Sequence, residues 1–221
     1  MSKNKKTTGT RFFRWFYSCF AWVFGIFLRI KVVNPENEPT EARYVVCSNH
    51  ISGFDPIVIS YAFRKNQIHF MAKKELFKIP LLKSLISALG AFPIDRGGND
   101  VGAIKKAVGI VAEGNCLGVF PQGHRYPGED PRGTATKNGA ALITCRAEAD
   151  VVPVYIWCKG NKRKLFKRTY VVIGEKIPFE SLGYDKDAQG EYSRITEIVF
   201  DKICTLGEEF EASMPKKGEK K

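Results

Sequence analysis

Residues 43–63 read RYVVCSNHISGFDPIVISYAF, and this stretch predicts a strand, a tight turn and a helix. The apolar run at 43–48 is typical of a strand, and the Asp-Pro-Ile-Val-Ile segment that begins at Asp55 is typical of a helix start. Gly53 allows the chain to turn sharply between the two elements. His50 and Asp55 can therefore meet across one turn, where a carboxylate would hold the imidazole in the tautomer that accepts a proton. The stretch thus predicts half of an acid–base site.

A purely structural interpretation of the same stretch stands beside the chemical one. Asp55 before Pro56 is also the pattern of an ordinary helix start, with Asp as the N-cap and Pro at the first helical position. In that case His50 would only be a polar residue at the end of a strand. The other parts of the chain have to decide between these two interpretations.

Composition limits the class of protein without naming a partner. The chain has 221 residues, a hydrophobic content of 44% and a formal net charge of +12. These values fit one domain, or one domain with an appendage, and the hydrophobic content is too low for a polytopic membrane protein. The positive charge indicates a polyanionic partner, which is nucleic acid, anionic lipid or a phosphorylated small molecule.

The six cysteines are scattered along the chain, without the spacing of a metal site. We therefore expect neither a disulfide framework nor a structural metal. Cys47 lies close to His50 in the sequence and is a possible nucleophile. An inert buried thiol is the more usual outcome for a cysteine inside an apolar strand.

The first 30 residues predict a contact with a membrane. A basic segment without acidic residues precedes an uncharged, aromatic stretch at 15–28. As a helix this stretch would extend about 21 Å, which is short of the roughly 30 Å of a hydrocarbon core. No small-residue cleavage site of a signal peptide follows it, and a plain core helix is the other alternative. We expect an amphipathic helix in the headgroup region, with apolar contacts from Phe12, Phe13, Trp15, Phe16, Phe20, Trp22, Phe24 and Phe27.

An α/β domain is predicted for residues 31–213, followed by a basic disordered tail at 214–221. Its strands are expected at 43–48, 68–72, 91–94, 116–120, 151–157 and 169–173, and its helices at 56–64, 80–89, 99–113, 136–148 and 189–212. The strands are apolar almost throughout, as in a sheet that is covered on both faces. We therefore expect a mostly parallel or mixed central sheet with flanking helices, and functional groups in the loops after the strands.

The loop after the third predicted strand reads Ile94-Asp95-Arg96-Gly97-Gly98, and a helix is predicted from about residue 99. An arginine near the positive end of a helix is suited to bind a phosphate. Asp95 is as readily a salt-bridge partner, and a solvated loop arginine is the alternative.

The loop after the fourth predicted strand reads Phe120-Pro121-Gln122-Gly123-His124-Arg125. Gln122 offers both a donor and an acceptor, Gly123 allows a close backbone approach, and Arg125 adds a fixed cation. We expect this loop and the loop of Arg96 to be neighbours, which would bring two guanidinium groups together. Taken alone, the loop is also explained as a strand-end turn.

These blocks, with the Val152-Pro153-Val154 strand, resemble the four motifs of the glycerolipid acyltransferase family. The family pattern is Asn-His followed by four residues and Asp, then a strand ending in Asp-Arg, then Phe-Pro-Glu-Gly-Thr-Arg, then a Val-Pro-Val strand. The similarity extends over residues 30–175. Each block is weak alone, and the ordered set is specific.

The resemblance implies that His50 is the general base and that Asp55 orients it. It assigns binding of the phosphorylated acceptor to Lys73, Arg96, Gln122, Gly123 and Arg125. Gln122 stands where the family has Glu, and His124 where it has Thr. Gln keeps hydrogen bonding but loses a negative charge, so this departure questions the acceptor more than the chemistry.

The implied reaction moves a fatty acyl group from acyl-CoA or acyl carrier protein to the sn-2 hydroxyl of 1-acylglycerol 3-phosphate, giving phosphatidate. The expected partners are the lysophospholipid, the thioester donor and an anionic membrane surface, at the cytoplasmic face of a bacterial cell membrane. No metal or redox cofactor is required. The alternatives are an acyltransferase for another lysolipid or for glycerol 3-phosphate, and a non-catalytic lipid-binding relative. Nucleic-acid binding, suggested by the basic cluster at 159–168, is disfavoured because no recognition motif accompanies the cluster.

Overall fold

The computed structural model describes residues 29–95, 101–164 and 166–215. The predicted basic tail from residue 216 lies outside this range. Several predicted functional residues do so as well: Phe12, Phe13, Trp15, Phe16, Phe20, Trp22, Phe24, Phe27 and Arg96. Within the described residues, no helix is both long enough and apolar enough to span a bilayer.

Seven strands form a single mixed sheet in the described part of the chain. They are β1 (Ile30–Val33), β2 (Tyr44–Ser48), β3 (Ile68–Lys73), β4 (Ala91–Ile94), β5 (Cys116–Val119), β6 (Asp150–Cys158) and β7 (Thr169–Ile173). Their spatial order is β1-β7-β6-β2-β5-β3-β4. All neighbouring pairs are parallel except β6 and β7, which are antiparallel. The predicted mostly parallel or mixed sheet is confirmed.

Five α-helices flank the sheet among the described residues: α1 (Asp55–Ala62), α2 (Pro80–Ala88), α3 (Val101–Ala112), α4 (Gly139–Ala147) and α5 (Glu191–Ser213). Prolines in the first helical positions begin α1 and α2, where the missing N–H group leaves no helical bond unmade. Along α5, apolar residues four apart (Ile195, Val199 and Ile203) are buried. This spacing places them on one face of the helix, which packs against the core.

Strand β2 shows why the predicted strands are apolar throughout. Tyr44 and Val46 belong to the core on one face of the sheet, which includes α1. Val45 and Cys47 belong to the core on the other face, which includes α3, α4 and α5. Side chains alternate between the faces of a strand, so a strand covered on both faces needs apolar residues at every position.

Strand β1 was not predicted from the sequence. It has four residues with an exposed lysine among them, and it pairs only with β7 at the edge of the sheet. A four-residue edge strand shows too little alternation of apolar and polar residues to be distinguished from an extended linker.

The strand order bears on one expectation about the site. β3 lies between β5 and β4, so the loops that carry Arg125 and Arg96 follow strands that are not adjacent. The expectation that these two loops are neighbours stays a prediction, because Arg96 lies outside the described residues. The parallel strands β2, β5, β3 and β4 nevertheless end at one common edge, and this edge carries the predicted motifs.

Candidate active site

The turn after β2 brings His50 and Asp55 into direct contact. His50 Nδ1 lies 2.8 Å from Asp55 Oδ2, and the same oxygen accepts hydrogen bonds from the backbone N–H groups of Ile51 and Ser52, both at 2.7 Å. An ionised carboxylate only accepts hydrogen bonds, so His50 Nδ1 carries a proton and donates it. The other ring nitrogen, Nε2, is then the one that can accept a proton.

Asp55 is the first residue of α1, and its side chain is 0% exposed. Phe54 occupies the N-cap position, and no side-chain hydrogen bond caps the helix. The interpretation of Asp55 as an ordinary helix cap is therefore wrong, because its carboxylate turns back to the loop and to His50. The positive end of the helix and the two loop N–H groups favour a negative charge there.

The imidazole plane of His50 is fixed from a second side. The ring stacks on Phe120 with 4.0 Å between the ring centres and 14° between the planes. His50 is 6% exposed as a whole residue. The ring therefore has one hydrogen-bonded edge and one packed face, which suits a base that must meet its substrate in a defined orientation.

Gln122 holds the His50 backbone from the neighbouring strand. Cys47 of β2 pairs in register with Val119 of β5, so His50 and Gln122 follow at equal distances from the last paired positions. Gln122 Oε1 accepts a hydrogen bond from the His50 backbone N–H at 2.6 Å, and Gln122 Nε2 donates to Thr134 Oγ1 at 2.6 Å. Protein groups thus engage both ends of this buried amide. With only 2% of the residue exposed, Gln122 offers little surface to an acceptor.

Asn49 has a structural role that the sequence analysis missed. Its side chain donates to the carbonyl of Ile156 at 3.0 Å and accepts from the N–H of the same residue at 2.7 Å. These two bonds continue the pairing between β2 and β6 beyond Ser48, the last backbone pair. The asparagine before His50 in the first motif was the available signal for this role. Its side-chain amide can donate one hydrogen bond and accept another, as a backbone peptide group does.

The predicted cations are less firmly held than the histidine and aspartate. Arg125 is exposed, and its Nη1 would lie 3.2 Å from a Cβ atom placed on Gly53, so it extends over the His50–Asp55 turn. Lys73 is also exposed and has its Nζ 3.7 Å from Glu75 Oε2. Both side chains can reach a ligand in solution.

Gly123 adopts a backbone φ of +67°, a conformation that glycine reaches without strain. A Cβ atom at this position would also lie 2.9 Å from the Lys137 side chain. The backbone conformation therefore explains the glycine of the third motif, because the exposed Lys137 side chain could move aside.

A cavity of about 600 Å³ opens at this edge of the sheet, and His50 lines it. Its apolar lining comes from the strand ends and from α3 and α4: Met71, Ile94, Val119, Phe120, Ile104 and Leu142. Its polar lining includes Gly123, His124, Lys137 and Arg146. This volume is typical of a small-molecule site. The apolar lining can pack against an apolar chain, and Lys137 and Arg146 can attract an anionic group.

Cys47 is buried at 0% exposure, and burial raises the pKa of its thiol to about 12. A thiol with so high a pKa is not ionised near neutral pH and is a poor nucleophile. The alternative that Cys47 acts as a nucleophile is therefore disfavoured.

Comparison with known proteins gives the family. The model of the Acyltransferase family matches residues 29–157. A 1-acyl-sn-glycerol-3-phosphate acyltransferase of Bacillus subtilis (strain 168) is 33% identical over 150 residues, which covers 67% of this chain and 73% of that protein. A protein of the same name from Borreliella burgdorferi is 28% identical over 187 residues, which covers 82% of this chain and 72% of that protein.

A solved structure shares the fold. It is the 1-acyl-sn-glycerophosphate (LPA) acyltransferase PlsC from Thermotoga maritima, with a TM-score of 0.68 and 23% sequence identity. The match covers 98% of this chain and 86% of that chain. The α/β architecture described above is therefore the architecture of that protein.

The chain belongs to the acyltransferase family. The matched range includes all four motif blocks, and with them the contact between His50 and Asp55. The resemblance predicted from these blocks is confirmed, as is the prediction that the chain is an acyltransferase enzyme.

Proposed function

We propose that this protein transfers a fatty acyl group to the sn-2 hydroxyl of 1-acylglycerol 3-phosphate, giving phosphatidate for phospholipid synthesis. The observation that carries the proposal is the 2.8 Å contact between His50 Nδ1 and Asp55 Oδ2 beside a largely apolar cavity, in a chain of the acyltransferase family. The names of the relatives from Bacillus subtilis and Borreliella burgdorferi support this acceptor.

The geometry supports direct transfer between the two substrates. His50 Nε2 takes the proton of the acceptor hydroxyl while the hydroxyl oxygen attacks the thioester carbon of the donor. As the tetrahedral intermediate collapses, the carbon–sulfur bond breaks and the proton on His50 passes to the departing thiolate. Asp55 holds the ring through Nδ1 and stabilises the imidazolium that exists between these steps.

The substrates find matching chemistry around the histidine. The apolar lining of the cavity suits a fatty acyl chain, and Arg125 and Lys73 are cations that can reach a phosphate. Arg96, in the loop after β4, stays a predicted phosphate-binding residue. Gln122 is buried and bonds the His50 backbone, so we assign it the role of holding the His50 loop rather than of choosing the acceptor.

The donor is a thioester, either acyl-CoA or acyl carrier protein, and the mechanism needs no metal or redox cofactor because the acyl group arrives activated. A membrane location follows from the lipid acceptor and from the aromatic, basic segment at 11–31. We place the protein on the cytoplasmic face of a bacterial cell membrane, where its net charge of +12 favours anionic lipid.

The test is thiol release from long-chain acyl-CoA in detergent, with lysophosphatidate as acceptor. His50→Ala should lose about 10²–10⁴ in turnover, because it removes the general base. His69→Ala is the matched control, since this histidine lies outside the cavity and bonds the carbonyl of Gly90. A His50→Ala variant with more than half of the wild-type rate would refute the mechanism.

The acceptor and the donor are tested in the same assay. Lysophosphatidate should give the fastest release within a panel of lysolipids and glycerol 3-phosphate, and acyl carrier protein should be compared with CoA as the carrier. Activity with another lysolipid only would keep the chemistry and change the substrate. No release with either donor across the panel would favour a lipid-binding relative.

A further inference from the structure

A buried guanidinium near the His50–Asp55 pair has no part in the mechanism above. Arg163 lies in the loop after β6, within the basic cluster at 159–168. Both terminal nitrogens of its guanidinium are buried, and neither has a hydrogen-bond partner among the described residues. A buried guanidinium is costly unless it is compensated, so its position requires a partner of opposite charge.

The second group in need of a partner is Asp55. Its Oδ2 contacts His50 and two backbone N–H groups, whereas its Oδ1 is buried without a hydrogen-bond partner in the described part of the chain. A carboxylate oxygen has room for further donors. The side chain is thus bonded on one side and open to a cation on the other.

The two unmatched groups are neighbours. Arg163 Cζ lies 5.9 Å from the centre of the Phe54 ring, and Phe54 directly precedes Asp55. Burial lowers the pKa of the Arg163 guanidinium, and the Asp55 carboxylate opposes this effect. Cys158, at the end of β6, completes the cluster as an uncharged thiol because burial raises its pKa to about 11. Arg163 is therefore a buried cation that lies close enough to the Asp55 carboxylate to interact with it.

We propose that Arg163 is a positioning residue, the counter-ion of the buried Asp55 carboxylate that keeps this carboxylate bonded to His50. The proposal rests on the proposed function, because it takes His50 to be the base. Without Arg163, the helix start would contain a buried carboxylate with no cation until His50 accepts a proton. Such a carboxylate would gain by turning toward solvent, and the orientation of His50 would be lost with it.

Direct binding of substrate by Arg163 is the competing explanation, and the geometry disfavours it. Arg163 does not line the cavity beside His50. Its terminal nitrogens are buried, so a phosphate would have to displace the loop to reach them. Lys162 and Lys164 on either side of it are exposed, which makes Arg163 different from the cluster around it.

The first experiment is a thermal unfolding cycle that needs no substrate. It compares wild type with Arg163→Met, Asp55→Asn and the double variant, and Lys164→Met serves as the matched control. Each single variant should lower Tm by about 5–15 °C, because it leaves one buried charge without its partner. The double variant should lose clearly less than the sum of the two shifts, and Lys164→Met should stay within about 2 °C. Additive shifts would show that the two residues are not paired and would overturn the proposal.

The second experiment separates positioning from substrate binding. Arg163→Met should lower kcat about 10–100-fold, in the range found when a residue that orients an active-site ligand is lost. KM for acceptor and donor should change less than about threefold, and Arg163→Lys should recover most of the lost kcat, since it restores the charge. A rise in KM for lysophosphatidate at unchanged kcat would instead place Arg163 at the acceptor phosphate and would overturn the proposal. If the wild type transfers no acyl group, the proposed function fails, while the unfolding cycle still tests the pair.

Discussion

The two halves of the functional sheet edge differ in how firmly they hold their side chains. At the ends of β2 and β5, His50, Asp55 and Gln122 are buried, and each is bonded to protein groups at 2.6–2.8 Å. At the ends of β3 and β4, the Lys73 side chain is 55% exposed, and its Nζ lies 3.7 Å from Glu75 Oε2. The ion pair between Lys74 and Asp95 is exposed as well. The side chains of the first half have a fixed geometry, whereas those of the second half are exposed to solvent.

The difference follows from the position of the strands. β2 lies in the middle of the sheet with β5 and β6 on its two sides, so its loop is bonded from both neighbours. β4 is an edge strand that pairs only with β3. A proton transfer needs atoms held within a few tenths of an ångström, whereas a phosphate can be bound by mobile cations that give up weak surface ion pairs. Substitutions in the two halves should therefore change different kinetic constants.

Among substitutions that keep His50, the largest effect should come from Asp55→Asn. Asn can still occupy the space, but it removes the charge that holds His50 in the correct tautomer and stabilises the imidazolium. We expect kcat to fall about 10³–10⁴-fold while KM for lysophosphatidate changes little. Steady-state thiol release measures this, and circular dichroism at the assay temperature checks that the variant is folded. A folded variant with a loss below about tenfold would show that the buried half does not depend on this carboxylate.

An intermediate effect is expected for Gln122. Gln122→Leu leaves the His50 N–H without its acceptor and removes the hydrogen bond that the Thr134 hydroxyl accepts, a cost of about 1–3 kcal/mol if the His50 N–H stays buried. It should lower kcat about 10–100-fold, whereas Gln122→Glu should stay within about threefold, because a carboxylate still accepts from the His50 N–H. Both KM values should remain near those of the wild type.

The comparison of Gln122→Leu with Gln122→Glu tests whether Gln122 holds the His50 loop or contacts the acceptor. If Gln122→Glu mainly changes which lysolipid is preferred, then Gln122 contacts the acceptor and belongs with the cations. The acceptor panel of the thiol-release assay decides this with the same protein preparations.

The smallest effect should come from Lys73→Met, in the exposed half. We expect KM for lysophosphatidate to rise about 3–10-fold with kcat within twofold, because an exposed cation contributes modestly and through binding. The effect should shrink as salt is raised, since salt screens exposed charges. Lys78→Met, at an exposed position of the same segment, is the control and should leave KM unchanged. A salt-independent loss of kcat would place Lys73 in the fixed half of the site.

Several elements were predictable because their signals are local. The strands and helices apart from β1 appear within three residues of their expected bounds, since apolar runs and helix starts are short-range patterns. The His50–Asp55 contact joins residues only five apart, so a turn and two residue types were enough to predict it. The four motifs in order were enough to predict the family.

The tertiary structure decided what depends on distant parts of the chain. Gln122 bonds the His50 loop across a separation of 72 residues, and Asn49 bonds Ile156 across 107. The position of β5 between β2 and β3 placed Gln122 beside the histidine. The same packing buried the terminal guanidinium nitrogens of Arg163 within a cluster of exposed lysines.

The sequence alone therefore determined the contact between His50 and Asp55 and most of the strands, because each of these depends on neighbours along the chain. Only the tertiary structure decided which of the surrounding polar residues hold the base in place and which remain free to meet a substrate. The physical reason is that burial and hydrogen-bond partners depend on the order in which the strands lie in the sheet, and this order is set by packing across both of its faces.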